Sequence, residues 1–154
     1  MKVAVGILLL VLSTVSGYIF SLKYSERKKS FEKVLAFNSA VKNEVVFSKK
    51  SLVSIVKNTE ADCSLIEYIR SFFLDKNVKE DKLKILTKGE KDFFTEYVKG
   101  LGQGDKKSQT EFLKNSETRL KSFLSDAEEA DKKYRPLCVK LGFLFGLIVL
   151  IILL

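Results

Sequence analysis

The sequence predicts an all-α fold, an antiparallel helical bundle head between two transmembrane helices. Three observations carry this. Val3 to Leu22 and Leu141 to Leu154 are apolar blocks at the two ends, the second without a single charge. All 19 acidic residues and 26 of the 27 basic residues lie between them, so the middle carries a net +7. Within that middle, apolar residues recur at helical spacing, and no stretch sustains the alternation of a strand. The organisation that follows is an N-terminal anchor over 1–23, a cytoplasmic helical bundle over 24–135 and a C-terminal anchor over 136–154.

The first block has 20 residues, about 30 Å of helix and thus the thickness of a bilayer's hydrocarbon core. Ser13, Thr14, Ser16 and Gly17 interrupt it, but small and hydroxyl residues suit helix contacts in lipid. A cleaved signal peptide is the competing reading, with "STVSG" offering small residues for cleavage. Against it, Lys23, Arg27, Lys28 and Lys29 follow the block immediately and favour a retained anchor with its downstream side in the cytoplasm. The tail reaches 18 residues if it starts at Leu137, about 27 Å, with Lys140 in its first turn able to snorkel. Lys132, Lys133, Arg135 and Lys140 flank it on the inner side. Both anchors therefore leave the middle in the cytoplasm and the termini across the membrane, and the +7 head is drawn to anionic lipid.

Between the anchors each segment has its own helical stripe. In 30–47, Phe31, Val34, Leu35, Asn38, Val41, Val45 and Val46 fall near one face. A turn at Ser48 to Lys50 separates this from a short helix in "SLVSIVKN". "DCSLIEYIRSFFLDKN" has a cap candidate in Asp62 and buries Leu65, Ile66, Ile69, Phe72 and Phe73. "KNVKEDKLK" reads as a charged connector. Thr87 and Glu90 have capping-box spacing and open a helix that packs Phe93, Phe94, Tyr97 and Leu101. From Gln109 a heptad seam runs through Leu113, Ser116, Leu120, Phe123, Ala127, Ala130, Tyr134, Leu137 and Leu141. Pro136 predicts a kink or a fresh start in it.

Composition argues against chemistry. There is no histidine, so the commonest general base and metal ligand is missing. Cys63 and Cys138 match no metal spacing. Adjacent carboxylates such as Glu128–Glu129 point apart. No catalytic residue, metal site, cofactor, nucleic acid or small-molecule substrate is therefore expected. The glycine-rich "LGQGDKKSQ" fails as a phosphate loop, because Gly104 is followed by Asp105 and Lys99 stands where the first glycine belongs. It reads as a structural turn. Gly102 or Gly104 supplies the left-handed helix end, and Asp105 caps the next helix.

These same residues resemble the stage III sporulation protein AB family. Leu101, Gly102, Asp105 and Gln109, then Lys133 and Tyr134, then Leu141, Gly142 and Gly146 match its pattern in order and spacing. Glu44, Val45, Phe47, Ser51 and Leu52 match a second pattern, with Ser51 where the family has proline. The resemblance covers nearly the whole chain. It implies a non-enzymatic membrane platform of the channel between mother cell and forespore, on the mother-cell side of the outer forespore membrane. It also implies a head like the cytoplasmic domain of the type II secretion platform protein. That head would dock a secretion-type ATPase, the AA protein of the same operon, to the other channel membrane subunits. Polar residues at helix ends are the partner-contact candidates: Glu44, Asp105 and Gln109. Two other readings stay open on the residues alone: a secreted, signal-cleaved, tail-anchored helical protein, or a membrane hydrolase using Ser and Lys.

Overall fold

The computed structural model describes residues 2–47, 51–75 and 80–153. They form five α-helices and no strand: α1 (Lys2–Phe47), α2 (Leu52–Asn58), α3 (Ser64–Arg70), α4 (Lys88–Gly100) and α5 (Lys106–Leu153). A π-helical turn, Ser71–Asp75, prolongs α3, and a 3₁₀ turn, Glu80–Leu83, lies in the charged connector. The turn expected at Ser48 to Lys50 and the connector's 76–79 lie outside the described residues. The chain groups into two compact units, 27–126 and the pair of ends 1–26 with 127–154. Both α1 and α5 contribute to each unit, without a break at either boundary.

In the unit formed by 27–126, α5 runs opposite to α1 and α4. Phe31 meets Phe123, while the side chain of Asn38 bonds to the backbone of Leu113. Phe93 meets Phe123 and Tyr97 stacks on Phe112. The predicted stripes form the core. Phe31, Val34 and Val41 of α1, Leu65, Ile66 and Ile69 of α3, Phe94 and Tyr97 of α4, and Leu113 and Leu120 of α5 are at most 3% exposed. Each such aliphatic or aromatic side chain contributes about 1.5–3 kcal/mol on burial. Phe37, absent from the predicted stripe, is buried too. Phe72 and Phe73 stay half-exposed and meet edge to face instead.

Three local expectations change. Asp62 does not cap α3; Cys63 occupies that position, and Asp62 pairs with Lys33 at 2.7 Å. A cap side chain needs the residue adjoining the first helical turn, and Asp62 lies one residue too early. Pro136 starts no new helix, because α5 continues through it; proline removes one backbone bond, which an otherwise long apolar helix tolerates. Beyond Ala127 the heptad seam is no longer enclosed: Leu137 and Leu141 are exposed, and Tyr134 is exposed on one side while it stacks on Tyr24 of α1. Ser51, in place of the family's proline, caps α2 by accepting from the Ser54 N–H at 3.3 Å.

In the unit formed by the two ends, the seam passes to small residues. A Cβ on Gly17 would lie 2.6 Å from Cys138 O, one on Gly142 2.8 Å from Ser13 O, and one on Gly146 2.8 Å from Leu10 Cα. Ser13 Oγ donates to Gly142 O at 2.7 Å. Ser13, Gly17 and Ser21 recur every four residues on α1, as do Cys138, Gly142 and Gly146 on α5, which lets two backbones approach closely. The large apolar residues face outward: Leu8, Ile19 and Phe20 on α1, and Phe145, Ile151 and Ile152 on α5 are all more than half exposed. Both helices are long and apolar enough to cross a membrane, and only 17% and 6% of their most apolar windows are buried. A soluble core helix would show the reverse.

Candidate partner-binding end of the bundle

Residues Gly100 to Gln109 build one end of the bundle. Leu101 closes α4 with its N–H on Tyr97 O at 3.2 Å, and is itself buried. Gly102 and Gly104 follow with φ of +78° and +86°, a region where a Cβ is strained. A Cβ on Gly102 would also sit 3.1 Å from Leu52 of α2. Asp105 then caps α5. Its Oδ1 accepts from the Ser108 N–H at 3.2 Å and its carbonyl from the Gln109 N–H at 2.9 Å. The Ser108 side-chain and backbone bonds hold the Asp105 carboxyl below its ordinary range, so it remains an anion at the helix's positive end.

The last turn of α1 arrives at the same end. Lys106 Nζ donates to Val46 O at 2.6 Å. Further along, Lys42 and Lys121 both pair with Glu117. These two lysines, Lys121 foremost, bring the Glu117 carboxyl down to about 2. Lys106, Lys107 and Lys114 line an open groove with Asp105 and Glu111, so the surface beside the cap carries both signs of charge.

The three predicted contact residues share this end but differ in access. Asp105 is exposed and Glu44, in the last turn of α1, is half-buried. Gln109 is only 5% exposed, and neither its Oε1 nor its Nε2 has a hydrogen-bond partner among the described residues. Leaving a buried amide unbonded costs about 1–3 kcal/mol. Gln109 shares this state with the buried Ser30 hydroxyl, whereas Asn38 and Glu90 are bonded.

For two bonded buried groups the long-range partners were not legible in the sequence. Asn38, fully buried, donates to Leu113 O at 3.1 Å and accepts from the Tyr97 hydroxyl at 3.1 Å. It ties α1, α4 and α5 together, and burial pushes the Tyr97 phenol far up, so it stays a donor. Glu90 accepts from Arg27 through both carboxylate oxygens and from the Thr87 N–H at 2.8 Å. The capping-box spacing marks the second contact, but nothing in the sequence pairs Glu90 with a residue 63 positions away.

For chemistry the inventory is thin. Among the described residues no group of three or more His, Cys, Asp or Glu is placed to hold a metal. Burial pushes the Cys63 thiol up, away from the reactive thiolate. The hydroxyls of Ser13, Ser16, Ser21, Ser39 and Ser71 donate to main-chain carbonyls.

Comparison with known proteins agrees on one family. The family described as Stage III sporulation protein AB matches residues 2–154. The chain is similar to the Stage III sporulation protein AB of Bacillus subtilis (strain 168), 25% identical over 169 residues, covering 99% of each chain. No solved structure matches.

Proposed function

Because this chain belongs to the Stage III sporulation protein AB family, we propose that it is a non-enzymatic membrane platform that docks a cytoplasmic secretion-type ATPase to a sporulation channel. One observation carries the reading. The two helices that present large apolar side chains outward, α1 and α5, also supply core residues to the bundle without a break. Such an architecture suits an adaptor held in lipid by its ends and offering a helical head to a soluble partner. The basic flanks support a reading with the head in the cytoplasm and both termini across the membrane. On the family resemblance, this is the mother-cell side of the outer forespore membrane, where the ATPase is the AA protein of the same operon. The chain works beside other membrane subunits of the channel, related to a secretion platform.

The competing readings find less support. A cleaved signal would discard Gly17 and Ser13, which pack against α5. A serine nucleophile needs a free hydroxyl beside a base; Ser13, Ser16, Ser21, Ser39 and Ser71, five of the fifteen serines, donate to main-chain carbonyls instead.

The docking surface in this reading is the end formed by Glu44, Asp105 and Gln109. The full chain, in detergent-solubilised membranes, is tested for co-purification with the ATPase. Glu44→Lys with Asp105→Lys, and separately Gln109→Leu, should each reduce capture severalfold while far-UV circular dichroism is unchanged. Unchanged capture in correctly folded variants overturns this surface. Failure of the native chain to capture the ATPase overturns the docking role.

A further inference from the structure

The apolar part of α5 contains one cation, Lys140, and helix packing fixes its depth. Gly17 fits against both Cys138 and Gly142, so Lys140, midway between them in sequence, is level with Gly17. Lys23 lies six residues further along α1, roughly 9 Å at 1.5 Å per residue. Lys140 is thus about 9 Å inside the apolar stretch of α1. Cys138 and Gly142 face α1, and a residue two positions from each points about 200° away from them. Lys140 is accordingly exposed.

No acidic residue occurs within two turns of Lys140 on α5 or of Gly17 on α1; the nearest are Asp131 and Glu26. An ammonium on the outer face of an apolar hairpin, with no carboxylate on either helix to neutralise it, needs a counter-ion from its surroundings. The long alkyl stem lifts the charge part of the way to water, and the group that meets it there in a bilayer is a phospholipid phosphate. The geometry points to a lipid-phosphate site at Lys140 that selects anionic phospholipids and draws one headgroup below its normal level. This rests on the reading of the two ends as membrane spans.

The test uses the full chain in phosphatidylcholine vesicles, with spin-labelled phosphatidylglycerol or spin-labelled phosphatidylcholine as reporter. The motionally restricted fraction should favour the anionic label about fivefold, the scale of one basic residue at a lipid surface. Lys140→Leu should lower that preference severalfold, to the salt-sensitive level that the basic flanks alone give, and Lys140→Arg should keep it. The Lys140-dependent part should survive about 1 M NaCl, where exposed charges are screened beyond ~3 Å. Equal preference in the native chain and Lys140→Leu overturns the site and leaves a snorkelling lysine only. Competition by excess inorganic phosphate also overturns it, marking an aqueous anion site. If neither label shows a restricted component, the spans themselves are refuted, a result distinct from both.

Discussion

Breaking the Arg27–Glu90 pair should be among the most damaging changes in the bundle. Glu90 is 3% exposed and Arg27 15%, so the pair is held largely away from water. Glu90 accepts two bonds from Arg27 and one from the Thr87 N–H. Glu90→Ala leaves the guanidinium without its counter-charge, which costs about 3–5 kcal/mol for a buried pair. It also removes the reciprocal cap on α4, a further ~1 kcal/mol. A loss of about 4–6 kcal/mol is a large part of the ~5–15 kcal/mol that stabilises a domain. Glu90→Gln keeps an oxygen for Thr87 and should cost only about 1.5–3 kcal/mol. In the double variant Arg27→Met/Glu90→Met neither charge is stranded, so the loss should be smaller than for Glu90→Ala alone. Urea unfolding of the full chain in micelles, followed by far-UV circular dichroism, gives the values for these three variants and for the single substitutions Arg27→Met and Glu90→Met. If the two single methionine substitutions add to the double within ~0.5 kcal/mol, the pair is not coupled and the reasoning fails.

Three further outcomes are expected. A disulfide should form between Gly6→Cys and Leu150→Cys, since a Cβ at Gly6 is 3.7 Å from Leu150 Cα; adding Gly17→Leu should lower cross-linking on a reducing versus non-reducing gel severalfold. Glu117 titrates near 2 in the folded chain against an ordinary 4.5, so its contribution is present above 4.5 and is lost as pH falls towards 2. The pair is solvent-screened, so Glu117→Gln should lower stability by only about 0.5–1 kcal/mol at pH 7, a difference that vanishes in urea titrations near pH 2. Gln109→Leu should stabilise the bundle by about 1 kcal/mol, because it removes a buried amide that has no partner; an equal or lower urea midpoint would show that Gln109 is bonded in solution.

Much of the bundle was legible because its signals are local. Thr87 and Glu90, three residues apart, mark the start of α4. Gly102, Gly104 and Asp105 mark a left-handed end followed by a cap, since only a residue without Cβ adopts those angles cheaply. Phe31, Val34, Leu113 and Leu120 were legible because apolar residues contrast with charged neighbours around each turn. Asp62 misled for a related reason: a carboxylate near a helix start reads as a cap, yet it is drawn to Lys33 from another helix. Of the partner candidates, the position of Asp105 followed from its cap role. The burial of Gln109 was implied by its seam position, but its lack of a bonding partner was not.

The sequence by itself determined the helical class, the two apolar ends and their basic flanks, because each depends on composition and short-range periodicity. Which face of each apolar end meets the other was decided only in three dimensions. A stretch that is apolar all round has no polar face to set its orientation, so packing of Ser13, Gly17, Gly142 and Gly146 chooses it. The same holds for Asn38 with Tyr97, Arg27 with Glu90, and the depth of Lys140. Each depends on the register between helices far apart in the chain, which no local pattern encodes.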